Sequence, residues 1–198
     1  MAEQKLAGGD QLSAERQLWG LVDAGLIEIA ELRDRRGDWQ TSRRRLTAET
    51  FAAMRGVALP SKPLLTIENL TAFEEAERAG DTDGHLALYT GGFITALDRE
   101  FLALLVDAGL EEVWHWGDID PGGLAILRHL QSCLPVPVRL WRMEPALLET
   151  LPSLPLSEED RKRLHAWQAD PQAPLQELAA AMLQAGRKVE QEGWFLGG

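Results

Sequence analysis

The apolar positions of this chain change their spacing at a pair of prolines, and the two sides predict different kinds of element. Before the prolines, Leu12, Leu18, Trp19, Leu21 and Val22 recur at helical spacing and Gly25 follows, which predicts a helix over residues 11–24. The run from Leu26 to Leu32 alternates apolar with polar and predicts a half-buried strand. A charged turn over 33–38 and a short second strand over 39–42 complete a hairpin. A further helix is expected from Leu46, with Thr47 as its N-cap, through Phe51 and Met54 to Gly56. Helix, arginine-tipped hairpin and helix outline a small winged-helix-like α+β element in residues 1–58.

After Pro60 and Pro63 the pattern alternates strand with helix. Strands are expected over 64–68, 85–89, the run ending at Asp118, and 136–141; helices are expected over 71–79, 94–108 and 124–130. The last third, residues 157–167 and 175–189, reads as helical. Strands alternating with helices imply a mostly parallel sheet with helices on its faces, an α/β unit over 59–198.

Composition narrows the classes. The 198 residues are 45% hydrophobic and 26% charged, which is globular and not disordered. One cysteine, Cys133, excludes a disulfide framework. No apolar run approaches the ~20 residues of a membrane span, and the N-terminus lacks a signal-peptide core. No membrane partner and a cytoplasmic location are the expectations. The net charge of −11 argues against a nucleic-acid partner. Its distribution argues back, because charges balance up to Ala58, where Arg33, Arg35, Arg36, Arg43, Arg44 and Arg45 bunch. Those arginines, with Arg161, Lys162 and Arg163, are candidates for phosphate contacts that carry no sequence preference.

The chemistry concentrates in Trp116-Gly-Asp118-Ile-Asp120-Pro-Gly-Gly123. In extended chain Asp118 and Asp120 share one face while Ile119 turns to the core. Two carboxylates that close repel unless a cation lies between them, and an all-oxygen set suits magnesium. In an open α/β sheet ligands bind beyond the carboxyl ends of the strands. Glu68 falls at one such end, Gly91-Gly92 at another and the aspartates at a third. Glu68, Asp118 and Asp120 are thus the candidate catalytic set, able to hold one or two divalent ions that activate water against a phosphate. Gly122 and Gly123 open the next helix, whose amides suit a phosphate. His115 reads as core or rim. Glu190 and Glu192 read as solvated residues on a helix end, where at most one of the two would aim at the site.

Glutamate at the first strand end followed by Asp-x-Asp two strands later resembles the Toprim domain of topoisomerases, primases and the Spo11/topoisomerase VI A group. The set Ile67-Glu-Asn-Leu-Thr-Ala-Phe73, Thr90-Gly-Gly-Phe93, Trp116-Gly-Asp-Ile-Asp-Pro-Gly-Gly123 and Val189-Glu-Gln-Glu192 is similar, in order, to JetD, the nuclease family of the Wadjet plasmid-defence system. The resemblance covers residues 60–198 well and 11–58 loosely. It implies a magnesium- or manganese-dependent endonuclease acting on double-stranded DNA, an SMC-like (condensin-type) partner complex and a homodimer that cuts opposite strands. It adds Glu190 or Glu192 to the metal ligands.

Two departures from the family pattern matter. Members are longer, with an N-terminal arm region, so a fragment or shortened relative is expected. Topoisomerase VI and Spo11 attack with a tyrosine from the winged-helix part, whereas the one tyrosine here, Tyr89, lies in a strand of the α/β unit, expected to be buried. Metal-activated water, and hydrolysis, follow. The rivals are a non-catalytic scaffold with a Toprim fold and a phosphatase using Asp118 as nucleophile. The second lacks its usual companions, since Pro-Gly-Gly follows the second aspartate.

Overall fold

The computed structural model describes residues 63–79, 85–170 and 173–196, preceded by the backbone of four strands. Those strands are β1 (Arg16–Trp19), β2 (Ile27–Ile29), β3 (Arg43–Leu46) and β4 (Met54–Val57). Then follow β5 (Leu64–Ile67), α1 (Leu70–Ala79), β6 (Leu86–Tyr89), α2 (Ala96–Asp107), β7 (Val113–Trp116), α3 (Pro121–Cys133) and β8 (Val138–Leu140). A short α4 (Leu147–Thr150) and β9 (Leu154–Pro155) lead into α5 (Glu158–Trp167) and α6 (Ala173–Ala185). The chain closes with β10 (Arg187–Lys188) and α7 (Gly193–Leu196).

Six strands form the main sheet in the order β3-β1-β6-β5-β7-β8. The four strands β6, β5, β7 and β8 run parallel, and β1 and β3 add an antiparallel margin. This is the mixed α/β, mostly parallel arrangement expected. All four residues of β5 are buried, as a strand covered on both faces requires. Alternation sends Leu65, Ile67 and Trp116 to one core with Phe73 of α1 and Leu124 and Leu127 of α3. Leu64, Leu86, Leu88 and Val113 go to a second core with Phe101, Leu102 and Leu105 of α2.

The helices start where the sequence carries caps. Thr95 and Asp98 form a reciprocal capping box at α2, and Ser157 and Asp160 form another at α5. α2 is followed by Gly109 at φ 105°, a left-handed position that favours glycine.

Two expectations in the first part of the chain are corrected. Arg16–Trp19, placed in a helix, is strand β1, and Met54–Val57, placed at a helix end, is strand β4. The reason is pairing: Leu18 sits opposite Leu88 and Trp19 opposite Ala87 along β6, and Ile27 opposite Val57. A sheet edge that satisfies main-chain donors overrides a short 3.6-residue periodicity. The expected hairpin strand over 39–42 lies outside the described residues, and the strand that does pair there, β3, begins at Arg43.

Strand succession reverses direction around β5: the chain steps to β6 on one side, then returns to β7 on the other. Such a reversal opens a crevice at the carboxyl ends of the two central strands. Glu68 follows β5 and Asp118 follows β7, so both stand at its mouth.

Candidate metal centre

Pairing places the two acids side by side. Ile67 lies opposite Trp116, and the Glu68 amide donates to Trp116 O at 3.0 Å, carrying the ladder one residue beyond β5. The Glu68 carboxylate lies over Gly117, and its Oε2 accepts from the Asp118 amide at 3.4 Å. A Cβ at Gly117 would stand 2.5 Å from Glu68 Oε2 and 2.9 Å from His115 Nε2, so only glycine leaves room for both side chains.

Asp118 is held from the far end of the sequence. Ile119 forms an antiparallel bridge with Val189, donating to Val189 O at 2.9 Å and accepting from Val189 N at 3.1 Å. That bridge brings residues 190–192 to the crevice as a turn, where the Gln191 amide donates to Asp118 Oδ1 at 2.7 Å. The expected helix end at Glu190 and Glu192 is therefore corrected. α6 finishes at Ala185, β10 and the bridge follow, and the chain is extended and turned where the glutamates stand. Both glutamates, not one, can face Asp118: carboxylate oxygens of Asp118, Glu190 and Glu192 all lie within 4.8 Å of one another.

Three of the remaining candidates occupy other places. Asp120 is the N-cap of α3, with Oδ1 accepting from the Gly123 amide at 2.7 Å and Pro121 at the first helical position. The Gly123 amide is thereby engaged by the cap. A Cβ on Gly123 would lie 2.0 Å from the main-chain oxygen of Asp118, so this glycine permits the tight return of the chain onto the acidic loop. Gly122 packs beside Asp120, 3.1 Å from its Oδ1 as measured from the Cβ position. Arg35 and Arg36 lie outside the described residues. Arg43, Arg44 and Arg45 lie on β3, opposite Trp19, Leu18 and Gln17 of β1, and their side chains are outside the description.

The charges crowd as their number suggests. Burial first, then the neighbouring Asp118 charge, pushes the Glu68 carboxyl up to about 7, against the lowering pull of the Asp118 amide. Burial, then the charges of Asp120, Glu190 and Glu192, pushes Asp118 up to about 6 although the Gln191 amide lowers it. Two carboxyls whose ionised forms are both disfavoured by burial and by neighbouring negative charge make a site that a divalent cation would relieve. An open groove of about 350 Å³ leads to these groups, lined by Glu68, Asn69, Tyr89, Gly91, Gly92 and Asp118 among others. Tyr89 is half-buried at the end of β6, not enclosed as expected, and its ring packs 6.0 Å from Phe73.

Sequence reasoning missed two residues that assemble the site. Asn69 accepts from the Thr71 and Ala72 amides at the start of α1 and donates Nδ2 to Glu192 Oε1 at 2.6 Å. Gln191 is buried, accepting from the Asn69 amide at 3.0 Å and donating to Trp116 O at 3.2 Å. Their signal was present as Glu68-Asn69 before a helix and Glu190-Gln191-Glu192 near the end. A neutral amide between two acids is the part that makes hydrogen bonds inward.

Residues 20–194 match the family model described as Wadjet protein JetD, C-terminal. The chain belongs to the JetD family. Membership implies a role in Wadjet plasmid defence, and the match runs from the residue just after β1 to the start of α7. It thus extends forty residues further toward the N-terminus than the region where the motifs are specific. Among curated proteins there is no match. No helix among the described residues of this JetD member is long and apolar enough to cross a membrane.

Two features of the site fit a cation. The cradle at Gly117 is space a Cβ would fill, and beside it His115 Nε2 is a fully buried nitrogen with no hydrogen-bond partner among the described residues. The donor set is otherwise carboxylate oxygen, the chemistry that magnesium and manganese take.

Proposed function

We propose that the chain is a magnesium- or manganese-dependent DNA endonuclease of Toprim type, cleaving phosphodiester bonds by hydrolysis as its part in plasmid defence. The observation that carries this reading is the convergence of Asp118, Glu190 and Glu192 within 4.8 Å at a crevice where Glu68 also stands. Asp118, Glu190, Glu192 and Glu68 would hold the ion, with Asp120 adding negative charge while it caps α3. When bound, the metal would lower the pKa of a water and offset charge on the phosphate.

The chain's own residues do the rest. Gln191 and Asn69 fix the carboxylates, and the buried Ile119 and Trp116 beneath them keep the floor rigid. Arg35, Arg36, Arg43, Arg44 and Arg45, with the amide of Gly122, are the proposed phosphate contacts, the Gly123 amide being taken by the Asp120 cap. Double-stranded DNA is the proposed substrate, an SMC-like complex the proposed partner and a homodimer the proposed state for cutting both strands. The unit over residues 1–58 is proposed to present DNA as a winged-helix-like module would.

The test is nicking of supercoiled plasmid by the full chain with manganese. Asp118→Asn and Glu68→Gln are expected to lower cleavage at least about a thousandfold while leaving the far-UV circular dichroism unchanged. Cleavage that survives in Asp118→Asn would overturn the reading. Wild-type protein that binds DNA but neither cleaves it nor binds manganese would point to the scaffold rival.

A further inference from the structure

His115 lies in the middle of the main sheet, opposite Thr66 and wholly buried. Its two ring nitrogens have different surroundings. Nδ1 lies 3.0 Å from Thr66 Oγ1, and the same hydroxyl donates to Trp114 O at 3.1 Å. A hydroxyl has one hydrogen. With that hydrogen given to Trp114 O, Thr66 can only accept from His115, so Nδ1 carries the ring proton. The other nitrogen, Nε2, then keeps a bare lone pair inside the protein, and no polar atom among the described residues partners it. Burial also keeps the ring neutral, since it lowers the imidazole to about 4.

An unpartnered buried acceptor is costly, about 1–3 kcal/mol, and this one has a direction. Nε2 and Glu68 Oε2 converge on the same small space, the one left by the missing side chain of Gly117. Glu68 Oε2 is in turn tied to the Asp118 amide, so the nitrogen lies behind Glu68, outside the group formed by Asp118, Glu190 and Glu192. Metal-ligating histidines characteristically donate their second ring N–H to an oxygen that fixes the tautomer and the ring plane. Thr66 holds His115 in that manner.

We propose that His115 Nε2 is a nitrogen ligand on the inner wall of the metal centre, paired with Glu68, and that it biases the site toward manganese or another transition ion over magnesium. Imidazole binds transition metals well, whereas magnesium keeps to oxygen ligands and water. The Glu68 carboxylate supplies the negative charge that a cation so deep in the protein requires. The inference rests on the metal-dependent reading above and adds to it one ligand and a metal preference.

The experiment is pulsed electron paramagnetic resonance on the full chain loaded with manganese alone, with magnesium and manganese affinities measured by calorimetry in parallel. A nitrogen hyperfine coupling is expected on the bound manganese, and its frequency should change when the protein is made with heavy-nitrogen histidine. That arm needs no variant and so does not depend on a mutant folding. In His115→Gln the coupling should vanish and manganese affinity should fall about tenfold or more, with a much smaller change for magnesium. Bound manganese without any nitrogen coupling would overturn the inference and leave the endonuclease reading standing. A coupling that persists in His115→Gln would also overturn it. Failure of manganese to bind at all would sink both.

Discussion

The Gln191 main-chain amide donates to Asp118 Oδ1 at 2.7 Å across seventy-three residues of sequence. This single bond joins the loop after the third parallel strand to the turn that carries Glu190 and Glu192. The Gln191 side chain then braces the same turn against Asn69 and Trp116. Gln191→Ala is expected to destabilise the protein by about 1–3 kcal/mol, because it takes the acceptor from the partly buried Asn69 amide and one of the two donors from the Trp116 carbonyl. Manganese affinity should fall with it, as the glutamates lose their anchor. Urea unfolding and calorimetry would check both; unchanged metal affinity would show that the turn holds its place without the brace.

The cradle at Gly117 is a sharper test of geometry. Gly117→Ala puts a methyl 2.5 Å from Glu68 Oε2 and 2.9 Å from His115 Nε2, so the Glu68 side chain must move. The expected result is a fold that survives with a loss of about 1–3 kcal/mol and a metal affinity near that of Glu68→Gln. Gly123→Ala meets main-chain oxygen at 2.0 Å and cannot be relieved by a side chain, so it should destabilise more than Gly117→Ala. A reversed order in thermal melts would contradict the packing described.

Asp120 permits cap and charge to be separated. Asparagine can cap a helix as aspartate does, while alanine cannot. Asp120→Ala should cost about 1 kcal/mol of stability and Asp120→Asn far less. Any fall in metal affinity common to both variants then measures the charge. Equal destabilisation by the two would mean that the bond from the Gly123 amide contributes little.

The raised carboxyls set the direction of a pH effect in the metal-free protein. Glu68 is pushed from 4.5 up to about 7 and Asp118 from 3.8 up to about 6. The folded chain therefore keeps protons that the unfolded chain has released. Their contribution is full below the ordinary carboxylate range and is lost as pH rises toward 7. His115 works the other way, because burial lowers it from 6.5 to about 4 and its contribution weakens as pH falls through that span. Comparing wild type with Glu68→Gln cancels the histidine. The variant should match wild type near pH 4 and exceed it by about 2 kcal/mol near pH 8. A difference that stays flat with pH in denaturant titrations would refute the burial of Glu68.

The parts of the fold legible in sequence are those where local pattern and tertiary environment agree. Strand β5 is apolar but for the buried Thr66 because it is covered on both faces, and β7 is followed by glycine and aspartate because the chain must leave the sheet there. Glu68 and Asp118 were readable for that reason: strand ends at a crevice are predictable positions. The helix expected at Arg16–Trp19 failed because four residues at a sheet margin take their conformation from β6 and β3, partners remote in sequence. The glutamates were misread for a similar reason. Helical spacing runs on past Ala185, yet Val189 pairs with Ile119 and turns Glu190 and Glu192 toward Asp118. No window of local sequence contains that partner.

The bridge between Ile119 and Val189 also fixes when the centre can exist during synthesis. A nascent chain that has emerged from the ribosome only as far as α6 carries Asp118 and Glu68, but neither of the two glutamates that gather around Asp118. Translation thus delivers the last oxygen donors well after the sheet that holds the first, and a polypeptide stalled before residue 190 would be folded in outline yet short of half its acidic cluster.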